Sequence, residues 1–253
     1  MPQYSFGAGV MWGTPTADAF GNAITNPTPV QFGVLQEISL DVSFDTKMLY
    51  GQNQFPVAVG RGKGKVSGKA KFAQLNGAIL NSLFFGQTLS SGITSDVYDV
   101  TGAVIPTTPF TITPTVPSSG TWSRDLGVRD ANGRPMTRVA SAPTTGQYSV
   151  AAGVYTFAAA DTGLTVFINY QYTATSTVAK KSTVLNVPMG YAPTFQADLY
   201  EPFQGKALTI TLPNCIGSKL QFATKLDDFN VPEFDFEAFA DSAGNVMTYA
   251  VSE

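Results

Sequence analysis

Residues 33–45 read GVLQEISLDVSFD, and the fold class follows from this stretch. Val34, Gln36, Ile38, Leu40, Val42 and Phe44 fall on one side of an extended chain, and Glu37, Asp41 and Asp45 on the other. That is the period-two pattern of a half-buried strand. A second strand is predicted at 57–72, where Arg61, Lys63, Lys65, Lys69 and Lys71 are all odd-numbered, so an unbroken strand sets five cations on one face. Gly60, Gly62, Gly64 and Gly68 lie between them and weaken regular pairing. The next segment, FAQLNGAILNSLFF at 72–85, carries Phe72, Leu75, Ile79 and Leu83 at three- and four-residue spacing, with Gly86 placed as the residue after its end. This predicts one α-helix lying across a sheet as an apolar plug.

Composition agrees with a mainly β chain. Of 253 residues only 13% are charged, 15 basic against 18 acidic for a net charge of −3, while there are 24 Gly and 16 Pro. The charged share is about half the roughly 25% usual for soluble domains. So slight an acidity excludes charge-driven affinity for nucleic acid or membrane. The absence of histidine excludes an imidazole base, a Ser-His or Cys-His pair and a zinc site with His ligands. Cys215 is the single cysteine, in LPNCI, and reads as a buried structural thiol in a chain made in a reducing compartment. No run of about 18 apolar residues is present and residues 1–10 lack a basic start and an apolar core, so neither a membrane span nor a secretion signal is expected.

Charge also divides the chain. Lysine is absent between Lys71 and Lys180, and the intervening text is rich in Thr, Ser, Pro and Ala. Residues 88–177 therefore read as a module inserted into a host domain made of 1–87 and 178–253. Within the module, short strands are predicted at 107–116, 136–140, 147–150, 153–157 and 164–172, separated by turn signals such as Asp130 to Gly133. That spacing indicates a small β-sandwich, Ig-like in general architecture. Host strands resume at 182–187, 194–200, 207–212 and 219–225. A hairpin-like pair, 232–240 and 246–251, closes the chain. In its first arm Glu233, Asp235 and Glu237 alternate with Phe234, Phe236 and Ala238, giving one acidic and one aromatic face.

No constellation calls for catalysis. GRGKGK at 60–65 lacks the glycine spacing and the terminal Lys-Ser/Thr of a phosphate loop. The acids Asp227, Asp228, Glu233, Asp235, Glu237 and Asp241 lack the alternation of an EF-hand and read as a solvated face. No catalytic residue, metal ligand or cofactor is expected, and the chain is not expected to be an enzyme. The basic strand (Arg61, Lys63, Lys65, Lys69, Lys71) and the acidic faces are complementary, so in a symmetric assembly they could meet across subunits and fix register.

Residues 32–86, FGVLQEISLDVSFDTKMLYGQNQFPVAVGRGKGKVSGKAKFAQLNGAILNSLFFG, resemble the opening of major tail tube proteins of tailed bacteriophages: a strand, a long loop through 47–56, a second strand with Lys and Gly, then a helix. Residues 222–249, FATKLDDFNVPEFDFEAFADSAGNVMTY, resemble the closing hairpin of such proteins. The middle module, with GQYSVAAGVYTF at 146–157, resembles Ig-like modules of phage structural proteins. The resemblance implies a host domain of two packed β-sheets with one flanking α-helix, forming hexameric rings that stack into a hollow conduit for the genome. The implied partners are other copies of the chain, a tape-measure protein, tail-end proteins, DNA in transient non-specific passage and, in a contractile tail, a sheath. The implied location is the virion tail, assembled in the bacterial host cytoplasm. It also makes Lys47, Met48, Leu49, Tyr50 and Phe55 the inter-ring contact loop. Because a phosphate-avoiding wall suits a DNA conduit, Glu37, Asp41 and Asp45 or Glu233, Asp235 and Glu237 are the candidate lumen faces. The alternatives are another virion role, tail completion or capsid decoration, or a carbohydrate-binding β-protein presenting Trp122, Tyr148 and Tyr155.

Overall fold

The computed structural model describes residues 7–74, 77 and 79–252, and strands dominate it. The chain divides into two compact units, Met1–Thr88 with Ser182–Glu253, and Leu89–Lys181. The first contains β1 (Val10–Ala17), β2 (Val30–Gln31), β3 (Leu35–Tyr50) and β4 (Pro56–Phe72). Numbered after the ten strands of the second unit, it also contains β15 (Thr194–Phe203), β16 (Lys206–Gln221), β17 (Glu233–Ala238) and β18 (Thr248–Val251).

These eight strands form one hydrogen-bonded sheet, in the order β2-β1-β15-β16-β17-β4-β3 with β18 also beside β16, and not the two sheets expected. The sheet folds over on itself. Met11 of β1, Leu199 of β15 and Ile38 and Leu40 of β3 line one small internal void, although β1 and β3 stand near opposite ends of the order. The bend lies in β16, one 16-residue strand where two were expected. Its register against β15 shifts between Leu212 and Cys215, which accommodates Pro213, and its register against β17 shifts between Gly217 and Lys219. The expected closing hairpin is replaced by an end-to-end arrangement: β18 pairs with residues 208–211 of β16 and β17 with 215–221. No strand forms at 182–187, where Val184 and Leu185 are exposed.

The core of this unit is aromatic. Phe32, Phe72, Phe195, Phe234 and Phe236 are all at most 2% exposed, and burying each is worth ~2–3 kcal/mol. Phe234 is within 6.1 Å, centroid to centroid, of Phe32, Phe195 and Phe236. The helix is shorter than expected and is wound as a π-helix, Ile79–Phe85. Phe72 belongs instead to β4, where Val66, Gly68, Ala70 and Phe72 alternate inward, so strand periodicity claims it. Leu75 lies outside the described residues. Ile79 and Leu83 are buried as expected of a plug. Gly86 ends the helix at φ +58°, and a Cβ there would lie 2.6 Å from the Ala19 backbone nitrogen.

The second unit contains β5 (Ser90–Ser91), β6 (Ile93–Val97), β7 (Ala103–Val104), β8 (Thr111–Ile112), β9 (Thr121–Asp130), β10 (Thr137–Arg138), β11 (Gln147–Ala151), β12 (Val154–Phe157), β13 (Thr165–Ala174) and β14 (Lys180–Lys181). One four-stranded sheet joins β6, β7 and β9 to β13, another runs β10-β11-β12-β8, and β5 pairs with β14. Val128, Val166, Ile168 and Tyr170 of the first sheet share a core with Tyr148, Tyr155 and Phe157 of the second. The sequence reading missed β6 and β9, and the strand expected at 107–116 reduces to two residues. The Asp130 turn forms as expected: its Oδ1 accepts the Asn132 and Arg134 amides at 2.9 and 2.8 Å.

Candidate functional site

The expected contact loop is the end of a long β-ribbon. β3 runs to Tyr50 and β4 starts at Pro56, pairing from Leu35↔Phe72 to Tyr50↔Pro56 with register shifts between Leu35 and Glu37, Phe44 and Thr46, and Leu49 and Tyr50, so only residues 51–55 turn. From Asp41 to Tyr50 and from Val57 to Lys65 every residue is exposed, so this part of the ribbon stands clear of the core on both faces. Lys47, Met48, Leu49 and Tyr50 end β3 and Phe55 lies in the turn. Leu49 is 63% and Phe55 80% exposed, and Val57 and Val59, which the sequence reading left out, join the same apolar end. Exposed apolar surface concentrated in this way marks an interaction site.

The five cations of β4 do not share a face. Phe44 pairs with Gly64 but Thr46 with Arg61, so β4 carries an extra residue at 62–63 and its alternation flips there. Arg61 consequently lies on the Phe44 side, its guanidinium carbon 4.5 Å from that ring's centroid, while Lys65, Lys69 and Lys71 stay on the outer face. Gly68 does not interrupt pairing; a Cβ there would lie 2.1 Å from Cζ of Phe236, so the glycine makes room for that ring.

The acidic and basic faces, read as separate, are one face of one chain. β17 pairs with β4, setting Glu233 opposite Lys71 and Asp235 opposite Lys69, and Glu37 of β3 stands opposite Lys71 from the other side. Ion pairs join Lys65 to Glu237 at 2.8 Å, Lys69 to Glu233 at 2.6 Å, Lys71 to Glu37 at 2.6 Å and Lys219 to Glu233 at 3.2 Å. The Lys69 ammonium, helped by Lys219, holds the Glu233 carboxyl below its ordinary range. Asp41 stands opposite Ser67 on this face, whereas Asp45 sits at the bulge. The surface is thus a ladder of alternating charge and not an acidic wall.

In the second unit Tyr148 and Tyr155 are 2% and 0% exposed, so they form no surface platform with Trp122. They surround Asp125, whose oxygens accept the Tyr148 hydroxyl at 2.7 Å and the Tyr155 hydroxyl at 3.2 Å. Trp122 Nε1 donates to Tyr155 Oη at 3.2 Å, and Arg138 reaches Asp125 at 3.7 Å. Burial, foremost, and the Asp125 charge push both tyrosines well above their ordinary pKa. Cys215 is fully buried in the first unit, and burial pushes its thiol up to about 12, which leaves it unreactive.

Among the described residues no group of three or more His, Cys, Asp or Glu side chains is placed to hold a metal ion. Among them, too, no helix is long and apolar enough to cross a membrane. The first unit presents an apolar ribbon end, a charge ladder and a sheet edge along β3. Compared with protein-family models and with curated proteins, the sequence matches none.

Proposed function

We propose that the chain is a structural virion protein, the major tail tube subunit of a tailed phage, whose copies form stacked rings around a conduit for DNA. The observation that carries the reading is the β3–β4 ribbon: two long paired strands that leave the core and end in exposed Met48, Leu49, Tyr50 and Phe55. A monomer gains nothing from such a feature, and it exposes a 16-residue edge strand to unwanted pairing; assembly covers both. The resemblance of residues 32–86 and 222–249 to tail tube proteins gives the assembly its identity, with the second unit as an Ig-like module. The charge ladder suits a lining as well as the acidic wall first expected, because lysines already paired with glutamates leave passing phosphates few free cations.

Negative-stain electron microscopy of the concentrated protein, with its mass by light scattering, tests the reading. Stacked rings with a bore wide enough for duplex DNA are expected; monomer at every concentration, even after addition of preformed tail tips, refutes it. Deletion of residues 48–55 leaves a folded subunit that does not polymerise, and tubes of normal length from this deletion would overturn the role given to the ribbon.

A further inference from the structure

A cavity of about 470 Å³ opens beside the π-helix, within the first unit. One wall is formed by Asn81 and Ser82 of the helix and Gln87 after it, the other by Pro15 of β1 with Phe20 and Ile24 of the loop that follows. The volume falls in the range of small-molecule sites. The helix shapes the polar end. Its wide turn carries the Gly86 amide back to the carbonyl of Asn81, five residues earlier, and the Ala19 amide donates to the Gly86 carbonyl at 3.2 Å, so Asp18 and Asn81 converge on Gly86. Turns of this kind recur at functional sites.

Asn81 is the group that calls for a ligand. It lies between the core residues Ile79 and Leu83, is itself only 7% exposed, and its Nδ2 donates to the Gln87 carbonyl. That donation fixes the orientation of the amide and leaves Oδ1 buried without a donor from the chain. Buried acceptors are nearly always paired, so an orphaned one on a cavity wall selects a molecule that donates. Charge selects further. No lining residue is Lys or Arg, and the carboxylate of Asp18 accepts the Phe20 and Asn22 amides at 2.8 and 2.9 Å and the Asn22 side chain at 3.0 Å. These bonds, that of the Asn22 side chain foremost, hold the carboxyl below its ordinary range, so it is an anion at neutral pH. Acids and phosphates are thereby disfavoured. Phe20, 47% exposed, joins Ile24, Pro27 and Val30 as the apolar lining.

We propose that this cavity binds a small primary amine with an aromatic body. The ammonium donates to Oδ1 of Asn81 and lies in the field of the Asp18 carboxylate, and the ring packs against Phe20, Ile24 and Val30. The site does not depend on the assembly reading above, since no residue of the β3–β4 ribbon lines it.

Phenethylamine is the probe, with phenethyl alcohol and hydrocinnamate as its neutral and anionic counterparts. Ligand-observed saturation-transfer NMR on the full chain reads binding whether the protein is a single chain or an assembly. Saturable binding of the amine with a Kd of about 1 mM or below is expected, with the alcohol about tenfold weaker and the acid not bound. Phe20→Ala, at an exposed position, and Asp18→Asn, which keeps an acceptor for the turn amides, should each weaken the amine by about fivefold to tenfold. Asn81→Leu removes the acceptor and should abolish binding. Circular dichroism establishes folding, and if Asn81→Leu does not fold the other two variants decide. The assignment is overturned if the amine does not saturate by about 10 mM, if the acid binds as well as the amine, or if binding is unchanged in both Phe20→Ala and Asp18→Asn. A crystal structure in which a water on Asn81 Oδ1 stays in place after soaking with phenethylamine would overturn it too, the acceptor then serving a structural water.

Discussion

Gly68→Ala tests the packing on which the first unit depends. The added methyl would lie 2.1 Å from Cζ, 2.4 Å from Cε2 and 2.7 Å from Cε1 of Phe236, where carbon atoms need about 3.5 Å. The ring cannot turn aside, because Phe195 and Phe234 hold it at centroid distances of 5.9 and 6.1 Å. Either the sheet opens or the ring leaves its rotamer, and overpacking of this kind costs ~1–3 kcal/mol. Alanine narrows the unfolded ensemble and returns ~0.4–1 kcal/mol, for a net loss of about 1 kcal/mol. Urea unfolding followed by Trp12 fluorescence, in a Trp122→Phe background that leaves one indole in the chain, measures it within the same sheet. Phe236→Ala alone should cost ~3–5 kcal/mol. In that background Gly68→Ala should become neutral or stabilising, a coupling of about 2 kcal/mol. A Gly68→Ala loss below about 0.5 kcal/mol, or the same loss with and without the ring, would refute the steric account.

Other outcomes follow from the charged and polar groups. Asp125→Ala leaves the Tyr148 and Tyr155 hydroxyls buried without their acceptor and should destabilise the second unit by ~2–4 kcal/mol, read by Trp122 fluorescence in a Trp12→Phe background. Because both tyrosines have raised folded pKa values, their contribution is complete below the ordinary 10.0 and is lost as pH rises above it. Absorbance at 295 nm should show them ionising only as the second unit unfolds. The Glu233 carboxyl is depressed, so its contribution is present above the ordinary 4.5 and lost as pH falls through its folded value. Urea midpoints of the first unit should drop below pH 4.5, and Glu233→Gln should flatten that drop.

The strand alternation of β17 was legible residue by residue, because Phe234 and Phe236 need burial and Glu233 and Glu237 need water, and nothing breaks the period between them. On β4 the same counting failed beyond one residue: the bulge at 62–63 turns Arg61 to the opposite face, and a bulge is set by cross-strand register, which a single strand's text does not carry. Phe72 fitted a helix period and a strand period equally, and packing in the core decided for the strand. β9 escaped notice because TWSRDLGVRD places charges on both sides of its apolar residues; Asp125 is accommodated by the Tyr148 and Tyr155 hydroxyls and Arg129 by the rings of Tyr98 and Phe167. Residues 213–218 lay between two expected strands, and in the fold the register shifts at Pro213 and past Gly217 fall within one continuous strand. Of the candidate site, the apolar ribbon end was visible as residue types out of place in a loop. The cavity beside the π-helix was not, since it joins residues 15–30 to residues 81–88.

The ribbon and the core share a strand. β4 leaves the ribbon without interruption, passes the bulge and becomes the core strand between β3 and β17. Cross-strand hydrogen bonds run perpendicular to the strands, so a pull along the ribbon loads them side by side in shear and does not peel them one at a time. A load applied at Phe55 draws β3 and β4 together, so the shear is borne where β4, from Val66 to Lys71, pairs with β17, and is passed from there to β16. The ribbon acts as a tension member anchored in the aromatic core, and a strain at its far end reaches the bend in β16 without crossing a flexible joint.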